Sequence, residues 1–130
     1  MDSLTPNIFV QDINKTIEFY KQLGFSILAA VPEAGDPDWV MMKCGKISFM
    51  FQSFKSLGEE LPAIKRENGG SLLFYIEIKG LRKLHEEIKD KVEVVKGIEK
   101  AFYGATEFSI LDPNGYVLTF AEDEVEVTAD

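Results

Sequence analysis

Two residue types that carry much of protein chemistry are nearly missing from this chain. It holds one histidine, His85, and one cysteine, Cys44, in 130 residues. A single cysteine cannot form an internal bridge, so a disulfide framework is excluded and a reducing compartment, the cytoplasm, is the simplest expectation. A single histidine leaves a conventional transition-metal site short, because such sites need at least three N, S or O ligands converging on one point. No apolar run approaches the length of a membrane span. The opening MDSLTPNIFVQD has no basic stretch leading into an apolar one, so no secretory signal is expected. No glycine-rich phosphate loop and no zinc-type cysteine pair occurs.

Bases are also outnumbered. Fourteen Lys and Arg face 22 Asp and Glu, for a formal net charge of -8. Five of those acids (Glu122, Asp123, Glu124, Glu126 and Asp130) lie in the last nine residues, which contain no base. Nucleic acid is therefore not an expected partner, since phosphate binding needs a basic face. Hydrophobic residues make up 45% of the chain, including ten Phe, four Tyr and one Trp. That is enough to bury a core in one domain-sized unit.

The chain reads as alternating strands and helices. Leu4 to Val10 (LTPNIFV) has strand character, with Pro6 near its start. Asp12 is placed to cap a helix that aligns Ile13, Ile17, Tyr20 and Leu23 and ends at Gly24. Phe25 to Val31 reads as a strand, and Trp39 to Cys44 with Lys46 to Gln52 as a hairpin around Gly45. Phe54 to Gly70 is a polar connector interrupted by Pro62. The pattern then restarts. Leu72 to Ile78 is a strand, Leu81, Leu84 and Ile88 mark a helix, and Val92 to Val95 is a short strand. Ala105 to Leu111 and Tyr116 to Ala121 are strands joined at Asp112-Pro113-Asn114-Gly115. Val10 and Ile78 lie 68 residues apart, as do Ile13 and Leu81, while Gly45 and Gly115 lie 70 apart. A nearly constant offset across strand, helix and hairpin indicates an internal duplication.

The expected architecture is α+β, two β-α-β-β-β modules with mixed sheets. The boundaries are a domain over 1-123, with module 1 over about 4-54, a linker over 55-70 and module 2 over about 71-123, followed by an acidic tail over 124-130.

The segments Asn7 to Ile13 (NIFVQDI) and Thr16 to Phe25 (TIEFYKQLGF) resemble the opening of the vicinal oxygen chelate superfamily. Tyr103 to Glu122 (YGATEFSILDPNGYVLTFAE) is similar to its closing signature. That group includes glyoxalase I, bleomycin-resistance proteins, fosfomycin-resistance enzymes and extradiol dioxygenases. The resemblance implies curved sheets enclosing a cavity, with metal ligands on the first and last strands of each module. Carried over by position, those ligands fall on Thr5, Phe49, Leu73 and Thr119, and none is His, Glu or Asp. No metal, no other cofactor and no catalytic residue is therefore expected.

Strand alternation puts Ile47, Phe49 and Phe51 on one face. In the family's register that face lines the cavity together with Thr5, Asn7, Phe9, Leu73, Tyr75, Val117 and Thr119. The lining is mostly apolar with a few hydroxyl and amide groups, the makeup of a small-molecule site and equally of a filled interior. Trp39 stands beside Glu33, Asp36 and Asp38, where its ring is placed to stack on a cation or simply to pack. His85, four residues after Leu81, is read as an ordinary helix residue, and Cys44, with no base beside it in sequence, as an inert thiol. The faces of Glu77 and Glu107 depend on turn length and stay open.

Three functions are compatible with this reading. One is a metal-independent protein that binds or sequesters a small organic molecule. The second is a metal-dependent lyase, transferase or dioxygenase. The third is an interaction domain with a filled cavity. A homodimer is expected, because curved sheets leave edges for a second chain to cover.

Overall fold

The computed structural model of the protein describes residues 1–124. Most of the acidic tail expected over 124-130 lies outside the described residues. The chain divides into two compact units, Met1–Gly69 and a second beginning at Gly70.

The first unit runs β1 (Asn7–Val10), α1 (Ile13–Gln22), β2 (Ser26–Val31), β3 (Trp39–Cys44), β4 (Ile47–Ser53) and a short α2 (Phe54–Leu57). Its open sheet has the order β1-β4-β3-β2. β1 is parallel to β4, and the other pairs are antiparallel. Asp12 caps α1 as its sequence position implies: its Oδ1 accepts from the Lys15 N–H at 3.0 Å. The helix buries Ile13, Thr16, Ile17 and Tyr20. Tyr20 is fully buried, and its ring meets Phe25, Phe49 and Phe51 at centroid distances of 5.4, 5.8 and 4.8 Å. Phe25 and Phe49 stack 5.7 Å apart. This aromatic cluster, with Ile8, Val10, Val40 and Met42, is the core between α1 and its sheet.

The second unit repeats the plan with β5 (Leu73–Glu77), α3 (Leu81–Ile88), β6 (Glu93–Lys100), β7 (Ala105–Leu111) and β8 (Val117–Asp123). Its sheet order is β5-β8-β7-β6, again with one parallel pair, β5 with β8. Leu81 and Ile88 of α3 are buried, as are Ile76, Phe108, Ile110, Leu118 and Phe120. His85 lies edge-on to Phe108 at 5.0 Å, which places it on the helix side of the sheet. At the start of α3 the Glu122 carboxylate accepts from the N–H groups of Gly80 and Leu81 at 2.9 and 3.1 Å, satisfying two donors the helix leaves unpaired.

The register corrects one expectation directly. Phe49 and Phe51 do not share a face with Asn7 and Phe9. Ile8 pairs with Phe51, and Asn7 pairs with Met50, so the two phenylalanines belong to the face turned toward α1. They are 4% and 0% exposed, buried against Tyr20. Alternation grouped them correctly with each other, and the family's register, carried over by position, assigned the group to the wrong side.

Candidate functional site

In each unit one sheet face packs against its helix, and the other carries the polar and half-exposed residues. On the first sheet that second face presents Asn7 and Phe9 from β1, Met50 and Gln52 from β4, and Trp39 and Met41 from β3. All six are partly exposed, unlike their buried neighbours on the helix side. The Asn7 Nδ2 donates to Gln52 Oε1 at 3.0 Å. Its Oδ1 is buried and has no hydrogen-bond partner among the described residues, an uncommon state for a buried acceptor. Thr5 lies just before β1 and is partly exposed. Two acids of the loop preceding Trp39 have neighbours already: Asp36 accepts from Asn14 at 3.0 Å and Asp38 from Ser53 at 3.4 Å.

On the second sheet the corresponding face carries Leu73, Tyr75 and Glu77 from β5, Val117, Thr119 and Ala121 from β8, and Glu107 and Ser109 from β7. Leu73, Tyr75 and Thr119 thus share one face, the grouping that the family's register implied. Thr119 and Ser109 are buried cross-strand neighbours whose hydroxyls bond at 2.8 Å. Glu107 is the residue that turn length left undecided. The segment between Leu111 and Val117 has five residues, not four, because Leu111 pairs with Val117 and Ser109 with Thr119. Asp112 holds that longer turn by accepting from the N–H groups of Asn114 and Tyr116 at 2.9 and 2.8 Å. Glu107 therefore shares the face of Tyr75.

Two phenols converge on Glu107. Tyr75 donates to its Oε2 at 2.6 Å, and Tyr103 donates to the same oxygen. The Tyr103 hydroxyl, then that of Tyr75, holds the Glu107 carboxyl below the usual carboxylate range. The same hydrogen bonds raise the pKa of both phenols. Nearby, Lys96 is paired with Glu99 at 2.6 Å. A cleft of about 330 Å³ adjoins this cluster, walled by Tyr75, Glu77 and Asp123 and floored by Ala105 and Ala121.

These observations can be set beside known proteins. The family model for the glyoxalase/bleomycin resistance protein/dioxygenase superfamily matches residues 2–120. The chain belongs to that superfamily.

Among solved structures of similar fold is a protein of unknown function from Agrobacterium tumefaciens str. C58, 26% identical with TM-score 0.76, each chain covered to 95%. A glyoxalase/bleomycin resistance protein/dioxygenase family enzyme from Burkholderia phytofirmans PsJN is 21% identical with TM-score 0.74, over 92% of this chain and 97% of that one. A bleomycin-binding protein complexed with bleomycin is 21% identical with TM-score 0.66, over 95% and 100%. A comparison with curated proteins gave no match.

The superfamily's metal chemistry can be tested against this donor set. Three of the carried-over positions hold Thr5, Leu73 and Thr119. The fourth moves. Tyr75 pairs with Thr119 in the second unit, and Asn7, 68 residues before Tyr75, pairs with Met50, so the repeat equivalent of Thr119 is Met50 and not Phe49. Leu73 has no donor atom, Met50 offers a thioether, and the Thr119 hydroxyl is bonded to Ser109. Among the described residues no three His, Cys, Asp or Glu side chains are grouped to hold a metal ion. This superfamily member's residues do not fit a divalent metal at the carried-over positions. No helix among the described residues is long and apolar enough to cross a membrane.

Proposed function

We propose that the protein binds or sequesters a small organic molecule on the sheet faces turned away from its helices, without the superfamily's metal chemistry. The donor set carries this reading: hydroxyl, thioether and alkyl groups stand at the carried-over ligand positions, so the faces offer contact and direction instead of a Lewis acid. Phe9, Trp39 and Leu73 supply apolar area, and Thr5, Asn7 and Tyr75 supply polar atoms, while Thr119 is buried with its hydroxyl bonded to Ser109. Phe49 and Phe51 are removed from the binding set because they are core. A bleomycin-binding protein of the same fold is consistent with the reading.

The proposed assembly is a homodimer. Edge strand β2 leaves Ile27, Leu28 and Val31 at 42%, 61% and 60% exposure, an apolar edge that a second copy would cover. A cytoplasmic setting belongs to the same proposal, supported by the free thiol of Cys44.

Ligand-observed NMR against a library of small aromatic and heteroaromatic molecules tests the binding claim, with Phe9→Ala and Trp39→Ala as controls. Binders that lose affinity in either variant, with the thermal transition retained, are the expected result. A parent protein without binders, or binders indifferent to both substitutions and also to Leu73→Ala and Tyr75→Ala on the second sheet, would overturn it.

A further inference from the structure

The second sheet carries a more specific arrangement. Ala121 of β8 pairs with Glu77 of β5 on one side and with Glu107 of β7 on the other. Three adjacent strands thus present the row Glu77, Ala121, Glu107. With strands about 4.8 Å apart, the two carboxylates flank a small residue across about 10 Å of sheet. One row along, Tyr75 pairs with Thr119, and in the other direction Ala105 pairs with Asp123. Ala121 and Ala105 are only 2% and 5% exposed, so the notch has a closed alanine floor. Its rim is made of carboxylates and tyrosine. Among the described residues lining the cleft, Lys79 is the one base. The Glu122 carboxylate beside it is turned to the start of α3.

Two further features point outward from this notch. Tyr75 and Tyr103 both bind Oε2 of Glu107, leaving Oε1 with no hydrogen bond from either phenol. The two tyrosines stay 47% and 55% exposed although their hydroxyl tips are held. Phe102, fully exposed, meets Tyr103 edge-on at 5.0 Å. An exposed aromatic group beside an oriented carboxylate matches an organic cation. The charge takes the carboxylate oxygens and the electron-rich ring faces, and the organic body takes the apolar surface. The neighbouring Lys96 is paired with Glu99 at 2.6 Å and also acts on the Glu107 charge, so an ammonium ligand would share Glu107 with it.

We propose that this alanine-floored notch binds the protonated amine of a small organic molecule, with the ammonium between Glu77 and Glu107 and its body against Tyr75, Tyr103 and Phe102. This deepens the small-molecule reading by naming a ligand class for one of the two faces.

Benzylammonium, with benzyl alcohol as the uncharged probe of similar shape, tests it by NMR titration of the full chain at neutral pH. Saturable shifts at Tyr75, Tyr103 and Ala121 are expected with benzylammonium and not with benzyl alcohol. Glu107→Gln should weaken binding about tenfold, the scale of one charged hydrogen bond. Glu77→Gln, at an exposed position, should also weaken it and serves if the first variant misfolds. Raising the salt concentration should lower the affinity. Equal shifts with benzyl alcohol would overturn the amine inference and leave the small-molecule reading standing. Unchanged affinity in both Gln variants would overturn it in the same way. Shifts with neither probe would remove the amine inference and, on this face, the broader reading too.

Discussion

The two modules share a strand order and differ in the hairpin that closes each sheet. In the first, Cys44 pairs with Ile47, so the turn is Gly45-Lys46 alone. In the second, Leu111 pairs with Val117, and five residues held by Asp112 span the gap. The faces beyond these hairpins differ in kind as well. The first presents an amide pair, two thioethers and two aromatic rings, and the second presents hydroxyls, carboxylates and phenols. The two units repeat one backbone plan with apolar helix-side cores and differ on the opposite faces. The helix side is held by close packing, where volume changes are costly, and the other face carries most of the partly exposed side chains. Chemistry specific to this chain should therefore be sought on the faces away from the helices.

The largest effect should come from crossing that divide in the first module. Phe51→Ala removes a fully buried ring that contacts Tyr20, and it should cost about 3–5 kcal/mol in denaturant unfolding. Phe9→Ala, on the opposite face, should cost clearly less. Equal losses would mean that Phe9 is also core and that the two faces are not distinct in packing.

Much of this was legible in the sequence. Asp12 announced α1, the Gly24 stop ended it, and the 68-residue offset of Val10 with Ile78 placed the second module. Face assignment in the first module was not legible. Alternation says that Phe49 and Phe51 point the same way, but it does not say which way. Only the pairing of β1 with β4 decides that, and it is a long-range contact. Anchoring both hairpins on their glycines also slipped the first by one residue, because Gly45 and Gly115 sit in turns of different length. β6 was expected only over Val92 to Val95, yet it runs from Glu93 to Lys100. Lys96, Gly97, Glu99 and Lys100 do not look like a strand, although charge on an edge strand discourages pairing with other chains. Glu107 and Tyr103 escaped notice as partners because their meeting depends on the five-residue turn.

A smaller effect tests that turn. Asp112→Ala removes a buried carboxylate that accepts two backbone N–H groups, and it should destabilise by about 1–3 kcal/mol. Backbone NMR shifts should change around Asn114 to Val117 and stay fixed at Gly45 and Lys46. A loss of stability spread equally over both hairpins would show that the turns are not independent.

The smallest expected effect is the titration of Glu107, and it sharpens the contrast on the chemical side. The Tyr103 and Tyr75 hydroxyls stabilise the charged carboxylate, so its pKa in the folded protein lies below that of the unfolded chain. The stabilisation from this group is then present above the unfolded value, near 4.3 for Glu, and is lost as pH falls through the folded value. Tyr75 acts at the other end. Its pKa is raised, first by the hydrogen bond to Glu107, so its contribution is present below about pH 10, the ordinary phenol value, and is lost as pH rises through the folded value. Both groups are largely open to solvent, so the pH dependence of unfolding should be shallow and weakened further by salt. Carboxyl-carbon NMR reads the site directly. Glu107 should titrate at lower pH than an ordinary Glu in the parent protein, and Tyr103→Phe should shift it upward by removing the larger of its two hydrogen bonds. A Glu107 titration at the ordinary value, or one unmoved by Tyr103→Phe, would mean that the phenols do not hold the carboxylate in solution, and the ammonium notch would lose one of its walls.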